Sequence, residues 1–520
     1  MCGRGGVIDR RGVLAGLAAI VPVAARGAPA DPVVTTTYGR VRGVRDRGIA
    51  VFRGIRYGAD TAPRRFAEAV PPTAWQGVAD ATRYGAAAPQ TRATEPTSED
   101  CLFLNVWTPA SDAARRPVLV YLHGGAHAHG SGSDPLTDGG NLARRGDVVV
   151  VTLNHRLAGL GYAYLAALGG PAESGNVGNL DIVLALAWVS DNIARFGGDP
   201  ARVTIFGQSG GGAKVVTLMA MARARPLFHH AATMSGQHVT AAGPRNATRR
   251  ARVWMERAGA RSVAELAVLP IERLVEAMAT LDPIEGKGEI SFTSTLDHRV
   301  LTRHPFVPDA PREAAHIPLI CGNTRDETGG WLRDILLKGD TDWANLPDRL
   351  SAQMVKDMDP AFVIERYRTM YPDRTPGQIL LAASTAGRSW PGHLIQAEAR
   401  AALNGPTWMY QLDLPAPEAG GVLGAYHTLD IPLVFANTAL PGAGTGDGPA
   451  ARAVSAAMAD AFVRFAATGD PNGGTMPAWP RFTVPERATM VFDRRTRVVD
   501  DPRREERLLF AVAPYIKPGG

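Results

Sequence analysis

The chain has 520 residues, of which 45% are hydrophobic, 20% charged and 7% aromatic. This is the composition of an ordinary globular protein, and it excludes collagen-like, coiled-coil and mostly disordered chains. The formal net charge is +6, and half of it lies in the first 30 residues. The remaining charge is too small, and too little clustered among aromatic residues, to indicate binding to nucleic acid.

An export leader is predicted over residues 1–30. Arg10 and Arg11 precede the apolar stretch Val13–Ala25, which is too short to span a bilayer. Ala28-Pro29-Ala30 then supplies the small residues of a cleavage site before Asp31. The paired arginines favour the twin-arginine route to the periplasm or the exterior. A general secretory signal and a start codon assigned too early remain alternatives.

Short β-like runs follow the leader and predict an antiparallel meander: Thr35–Tyr38, Val41–Val44 and Ile49–Tyr57. Continuous apolar runs then predict strands that are buried on both faces: Leu102–Thr108, Val118–Leu122, Val148–Leu153, Val203–Phe206, Ala231–Met234, Ile317–Cys321 and Trp408–Leu412. Helices are predicted between or after them: Leu180–Phe196, Gly210–Met221 and Ser455–Ala467. This alternation indicates an α/β fold with a large, mostly parallel central sheet flanked by helices.

Residues 31–520 are expected to form a single domain. The regions 240–315 and 336–400 interrupt the strand–helix alternation with helix-rich sequence. We expect these insertions to cover the edge of the sheet where the parallel strands end. Outside the leader, no uninterrupted apolar run is long enough for a membrane span, and stable membrane association is not expected.

The sequence Gly207-Gln208-Ser209-Gly210-Gly211 follows a β-branched strand and opens a helix. A nucleophilic serine on such a sharp turn has a strained backbone, and glycine is needed on both sides because side chains there would collide with neighbouring backbone. The N-terminal end of the following helix favours developing negative charge. Ser209 is therefore the candidate nucleophile.

A second loop of small residues follows the strand that ends at Leu122. His123-Gly124-Gly125-Ala126 resembles the loop that supplies oxyanion-hole N–H donors in esterases of the α/β-hydrolase fold. Backbone donors approach an oxyanion closely only where side chains are small. The predicted donors are the N–H groups of Gly125, Ala126 and Gly210.

A serine nucleophile needs an imidazole to take its proton and a carboxylate to orient that imidazole. Asp326 and Glu327 lie just past a predicted strand, and His427 lies in a loop well downstream, with Asp430 three residues later. The order serine, acid, histidine suits a triad. By residue type alone, the acid is Glu327, Asp326 or Asp430.

Several further segments resemble signatures of the type B carboxylesterases, the family of the cholinesterases and the bacterial p-nitrobenzyl esterases: Phe52–Ile55, Glu99–Val106, Asn154–Leu157, Gly175–Asp181, Phe196–Pro200 and Thr468–Asn472. The resemblance runs from about residue 32 to the C-terminus. It implies the α/β-hydrolase fold, with Ser209 as nucleophile, Glu327 as acid and His427 as base.

The chain departs from that family pattern at three places. Gln208 replaces the glutamate usual before the serine, which weakens the case for a cationic substrate. His127 stands where a phenylalanine is usual and predicts a more polar acyl pocket, so both residues are candidate substrate contacts. Ala88 occupies the usual place of the disulfide partner of Cys101, which is therefore expected to be free. Whether Cys101 pairs with Cys321 stays open.

No metal and no organic cofactor is expected. His123, His127 and His129 are close in sequence but lack a fourth ligand, which favours a polar pocket wall over a metal site. Trp188, Trp331 and Trp408 are expected in packing rather than in substrate contact. The predicted protein is a monomer or homodimer.

The predicted function is hydrolysis of small or medium carboxylic esters through an acyl-enzyme. The same machinery serves amides, carbonates and lactones, and sequence alone cannot separate these substrates. Hydrolysis of long-chain lipid esters is less favoured than that of small or medium esters, because the insertions lack the pattern of an amphipathic lid. A binding module that has lost its catalytic residues is disfavoured, because all three triad residues are present.

Overall fold

In the computed structural model of the protein, the described residues are 1–3, 5–6 and 30–515. The chain divides into two units, Met1–Asp31 and Pro32–Gly520. Most of the predicted leader lies outside the described residues. The strands and helices of the described residues all lie in the second unit.

Fourteen strands form two sheets within the described part of the chain. Their bounds are β1 Val33–Thr35, β2 Arg40–Arg42, β3 Val44–Asp46, β4 Ile49–Arg56, β5 Val78–Asp80, β6 Phe103–Thr108, β7 Arg116–Leu122, β8 Val149–Leu153, β9 Gly198–Gln208, β10 His230–Met234, β11 Leu319–Thr324, β12 Thr407–Leu412, β13 Ala488–Phe492 and β14 Arg497–Asp500. The large sheet has the order β14-β13-β12-β11-β10-β9-β7-β8-β6-β4-β3, and β1, β2 and β5 form the small one.

The seven strands from β13 across to β8 run parallel, and antiparallel strands complete both edges of the large sheet. Both faces of this sheet are covered. On β7, Val118, Val120 and Leu122 pack into one hydrophobic core, whereas Leu119 and Tyr121 pack into the core on the opposite face. Strands buried on two sides need apolar residues at every position, which is why they appear in the sequence as continuous apolar runs.

Helices connect and cover the strands. The α-helices are α1 Gly140–Gly146, α2 Ala158–Tyr162, α3 Val177–Asn192, α4 Gly210–Ala220, α5 Pro244–Ala258, α6 Val263–Val268, α7 Ile271–Met278, α8 Arg333–Lys338, α9 Leu346–Gln353, α10 Pro360–Met370, α11 Pro376–Arg388, α12 Trp390–Ala401, α13 Asp430–Val434, α14 Pro449–Thr468 and α15 Arg504–Phe510. A 3₁₀ turn, Ile193–Phe196, extends α3. The fold class predicted from the sequence is confirmed.

The prediction of one continuous N-terminal meander is wrong, because its strands are divided between the two sheets. β1 and β2 pair antiparallel in the small sheet, whereas β3 and β4 pair antiparallel at the edge of the large sheet. The runs β1–β3 are only three residues long, and period-two alternation reports local burial but does not say which sheet a short strand joins.

The two helix-rich insertions build hydrophobic clusters of their own. α5–α7 pack around Trp254 and Leu274, and α8–α11 pack around Leu346 and Tyr367. Each cluster is separate from the two cores of the large sheet. Other parts of both insertions pack into one of those cores, for example Phe306 of the first insertion and Trp390 of the second.

A buried ion pair fixes α3 beneath the sheet. Asp181 accepts hydrogen bonds from the Arg156 backbone N–H and from its guanidinium at 2.7–3.0 Å, and both side chains are almost fully buried. The surrounding helical segment, Ser174–Phe196, is long and apolar enough by composition to cross a membrane, yet 72% of its most apolar window is buried inside the fold. This burial is typical of a core helix.

Replacing Asp181 with asparagine should lower the free energy of unfolding by about 3–5 kcal/mol, because it leaves the Arg156 charge buried without a counter-charge. Urea unfolding followed by circular dichroism measures the change. The matched control is Asp460→Asn, which breaks the half-exposed pair with Arg145 and should leave the unfolding midpoint nearly unchanged. Equal losses in both variants would contradict the structural role of the buried pair.

Candidate active site

Ser209 occupies the turn between β9 and α4. Its φ of 57° and ψ of −121° lie outside the regions that a non-glycine residue normally adopts. A Cβ at Gly211 would lie 1.9 Å from the Leu122 carbonyl oxygen, and one at Gly207 would lie 2.5 Å from the Gly211 backbone. Both flanking glycines are therefore required by close backbone contacts, as the sequence analysis predicted.

The predicted oxyanion loop lies directly beside this turn. Gly125 and Ala126 both have positive φ, at 79° and 54°. The Ala126 carbonyl oxygen packs so closely on Gly210 that a Cβ there would be 2.0 Å from it. Ala126 and Gly210 line one cavity together with Ser209, and Gly125 precedes them in the loop. The N-terminus of α4 points at the same place, which favours an anion there.

His427 and Glu327 are in direct contact. The His427 Nδ1 hydrogen-bonds to Glu327 Oε2, and Glu327 Oε1 accepts from Ser235 Oγ at 2.5 Å and from the Thr324 N–H at 2.9 Å. His427 reaches this position from the loop between β12 and α13, and Glu327 follows β11. Both oxygens of the buried carboxylate thus accept hydrogen bonds, one at Oε2 and two at Oε1.

The environment keeps Glu327 ionised. Burial alone would raise the pKa of this carboxyl, but its electrostatic interaction with the adjacent His427 imidazole and the hydrogen bonds from His427, Ser235 and Thr324 outweigh burial and lower the pKa below its ordinary value. A carboxylate that stays charged can hold the proton of His427 on Nδ1 and stabilise the imidazolium.

The two rival acids point elsewhere. Asp326 Oδ2 accepts a hydrogen bond from the Ala425 N–H at 3.0 Å and so fixes the loop that carries His427. Asp430 Oδ2 accepts from the Tyr410 hydroxyl at 2.7 Å. Burial raises the pKa of both carboxyls, that of Asp430 to about 6. Of the three candidate acids, Glu327 is the one hydrogen-bonded to His427.

Ser209 and His427 line the same cavity. Within the described residues, no hydrogen bond joins the Ser209 hydroxyl to the His427 ring. The Gln208 amide nitrogen instead lies 3.3 Å from His427 Nε2. Catalytic hydrogen bonds are often long in unliganded enzymes and tighten when substrate binds. Gln208 is almost fully buried and lies outside the cavity wall, so it contacts the imidazole rather than the open pocket.

The cavity that joins these groups has a volume of about 280 Å³. His127 is buried in its wall, with its ring 4.7 Å from the Tyr162 ring. Both insertions contribute to the lining, which consists of Ala126, His127, Ser209, Gly210, Ser235, Gln237, His238, Glu285, Ser291, Phe292, Thr293, Trp331, Val355, Arg388, His427 and Tyr515. The pocket is therefore rich in polar side chains.

Sequence reasoning assigned Trp331 to packing, and this is wrong. The side chain is 51% exposed, lines the cavity, and lies with its ring 5.0 Å from the His427 ring. The Arg388 guanidinium stacks on the same indole at 5.2 Å. Trp331 follows Glu327 by four residues, and this closeness in sequence to the candidate acid is the signal that was missed.

Cys101 and Cys321 are both buried free thiols. Burial raises the pKa of each thiol, that of Cys321 to about 12. A thiol that stays protonated is a poor nucleophile and a poor metal ligand, so both cysteines serve as small apolar residues of the core.

The fold and the strand–serine–helix turn define an α/β-hydrolase. The sequence model of the carboxylesterase family matches residues 30–511. The chain therefore belongs to the carboxylesterase family, and it is a serine hydrolase of carboxylic esters.

Relatives and solved structures agree with this assignment. The para-nitrobenzyl esterase of Bacillus subtilis (strain 168) is 34% identical, over 91% of this chain and 97% of the relative. The phenmedipham hydrolase of Pseudarthrobacter oxydans is 31% identical, over 91% and 98% respectively. The crystal structure of the carboxylesterase EST55 of Geobacillus stearothermophilus superposes with a TM-score of 0.81 at 37% identity, covering 92% of this chain and 99% of that one.

Asp430 should make stability fall as pH rises through weakly acidic values. Its folded-state pKa is about 6, against about 3.9 in an unfolded chain. Between these values the folded protein binds more protons than the unfolded one, so the unfolding free energy decreases with pH. Relative to Asp430→Asn, the wild type should lose about 2 kcal/mol between about pH 4 and pH 7.

Urea unfolding of both proteins at the two pH values measures this difference. The variant keeps an acceptor for the Tyr410 hydroxyl and so serves as its own control for packing. A stability difference that stays constant or grows with pH would show that Asp430 is not the titrating group.

Proposed function

We propose that Ser209, His427 and Glu327 form the catalytic triad of this esterase. The observation that carries the proposal is the hydrogen bond between His427 and buried Glu327 at the wall of the cavity that holds Ser209. Ser209 Oγ attacks the ester carbonyl carbon while His427 Nε2 takes the hydroxyl proton. His427 then protonates the leaving alcohol, and a water molecule activated by the same imidazole releases the acid and restores the serine.

The oxyanion of each tetrahedral intermediate is held by backbone donors in this proposal. The N–H groups of Gly125, Ala126 and Gly210 are the proposed donors, supported by the close contact of the Ala126 loop with Gly210 at the N-terminus of α4. Preorganised donors of this kind need no metal or organic cofactor, and the reaction balances with ester and water alone.

The proposed substrates are esters with small or medium acyl and alcohol groups. A cavity of about 280 Å³ lies at the lower end of the range for small-molecule sites. His127 contributes a polar wall next to Ala126, and we assign it to substrate contact. Gln208 is assigned an indirect part, because its amide lies against His427 and thereby affects the position of the base.

We further propose that residues 1–30 are an export leader and that residues 31–520 form the mature enzyme. The basic, apolar and small-residue order of the leader supports this, and the family match begins at its end. The N-terminal sequence of the protein recovered from the exported fraction tests it, with Asp31 expected as the first residue. Light scattering distinguishes the monomer from the homodimer.

Replacing Ser209 with alanine should lower kcat for p-nitrophenyl esters by roughly 10⁵- to 10⁶-fold while the fold is retained. A series of these esters with acyl chains from acetyl to lauroyl measures the length of the acyl pocket in the same experiment. We expect wild-type kcat/KM to be highest for acyl chains shorter than the long ones of the series. Ser455→Ala is the matched control, since this buried serine donates to the Leu433 carbonyl away from the cavity. Full activity in Ser209→Ala would refute the assignment of the nucleophile.

The acid of the triad can be identified by three isosteric changes. Glu327→Gln should lower kcat by about 10⁴-fold, because the amide cannot stabilise the imidazolium and favours the wrong tautomer. Asp326→Asn and Asp430→Asn should retain most of the activity, since neither carboxylate touches His427. If either aspartate variant lost as much activity as Glu327→Gln, the acid would have been assigned wrongly.

A further inference from the structure

Lys214 is a buried amine that the esterase mechanism does not use. It lies on α4, five residues after Ser209, and its side chain is completely inaccessible to solvent. Five of the chain's 56 basic residues are lysines. In so arginine-rich a chain, a lysine at a fully enclosed position indicates a site that requires a compact amine.

The amine binds the backbone of the oxyanion loop. Lys214 Nζ donates to the Ala126 carbonyl oxygen at 2.8 Å and to the His123 carbonyl oxygen at 3.3 Å. Within the described residues, no other donor forms a hydrogen bond to either of these two carbonyl oxygens. The contacts therefore bracket the loop segment that contains Gly125 and Ala126.

No carboxylate in the described part of the chain forms an ion pair with Lys214. Its neighbours are the imidazoles of His123 and His155, which stack in parallel at 4.8 Å and whose pKa values burial lowers, that of His123 to about 3. Burial also lowers the pKa of Lys214 to about 7. A neutral amine still has two N–H donors, one for each carbonyl, so the two hydrogen bonds do not depend on the charge.

The position of Lys214 on α4 connects the two halves of the oxyanion hole. Gly210, at the N-terminus of α4, supplies one donor, and Lys214 follows one turn later on the same helix. Ala126, in the other half, has a left-handed backbone that an alanine does not adopt readily. Hydrogen bonds from Lys214 on either side of this strained segment attach it to the helix that carries Gly210.

We propose that Lys214 is a positioning residue that holds the 123–126 loop in the geometry needed to bind the oxyanion. This inference rests on the oxyanion hole proposed above. The Lys214 amine does not contact the substrate. It fixes the carbonyl groups of the loop, and the N–H groups of Gly125 and Ala126 are thereby kept in place beside Gly210.

The test is Lys214→Met, which keeps the length and apolar stem of the side chain and removes its N–H donors. We expect kcat to fall by about 10²-fold, as for a small displacement of a catalytic group, with KM little changed. Affinity for an alkyl trifluoromethyl ketone, which adds to the serine hydroxyl to form a tetrahedral oxyanion, should fall by the same factor.

The matched control is Thr217→Val, also buried on α4, which removes a hydrogen bond to the Ala213 carbonyl but has none to the loop. It should leave kcat and ketone affinity unchanged. Wild-type kcat in folded Lys214→Met, or a loss of stability with unchanged ketone affinity, would overturn the proposal. If the wild type did not bind the ketone, or if Ser209→Ala still bound it, the proposed active site itself would be refuted.

Lys214→Ala provides a second route if the methionine variant does not fold. The vacated space can admit water, which hydrates the buried carbonyl groups and so preserves the fold, but which is not attached to α4 and cannot hold the loop against that helix. Added ethylamine should then raise kcat saturably towards the wild-type value without changing KM. An alanine variant that folds and retains wild-type kcat, or a low kcat that ethylamine leaves unchanged, would contradict the role of the amine.

Discussion

The backbone at Ser209 is the constraint on which the rest of the site depends. A non-glycine residue in this sparsely populated conformation, with positive φ, costs about 1–3 kcal/mol, and the fold holds it there. The Ser209 N–H donates to the Met234 carbonyl oxygen at 2.7 Å, which ties the turn to the end of β10. Because Gly211 packs on Leu122, the same turn also fixes the start of the oxyanion loop after β7. The proposed nucleophile and the proposed anion donors are thus positioned by one set of close contacts.

Burial and charge are balanced differently at the three acidic groups near His427. Glu327 accepts three hydrogen bonds, one of them from the adjacent imidazole, and its pKa is lowered although it is completely buried. Asp430 is fully buried and Asp326 partly buried, both have fewer donors, and burial raises the pKa of each. The adjacent imidazole and the hydrogen bonds, which oppose burial, decide in which direction each pKa is shifted. This difference is what suits Glu327 to orient a base.

Local sequence predicted the features that depend on short-range chemistry. The glycines around Ser209, the loop at Gly125 and the buried strands could be predicted because each reflects a steric or burial requirement within a few residues. Residue types alone left the acid open between Glu327 and two aspartates, and the family resemblance selected Glu327. The structure shows that Glu327 contacts His427. The two residues meet because β11 and β12 are parallel neighbours, and Glu327 and His427 lie in the segments that follow them.

Long-range placement could not be predicted in the same way. Trp331 and Arg388 reach the cavity from different parts of the chain, and nothing in either segment reveals the other. Lys214 follows the nucleophile closely, but its contact with Ala126 depends on how α4 packs under a loop some 90 residues earlier. Short strands such as β2 and β3 carry too few residues for their pattern to specify a sheet.

The most direct test of the account is to map the residue that an organophosphate ester modifies. Diethyl p-nitrophenyl phosphate reacts with an activated serine, which displaces p-nitrophenolate and keeps the diethyl phosphoryl group. Mass spectrometry of the intact protein and of its peptides should find one adduct, on Ser209, and none in Ser209→Ala. An adduct on another residue, or an active wild-type enzyme that stays unmodified and uninhibited, would contradict the assignment of Ser209 as the nucleophile.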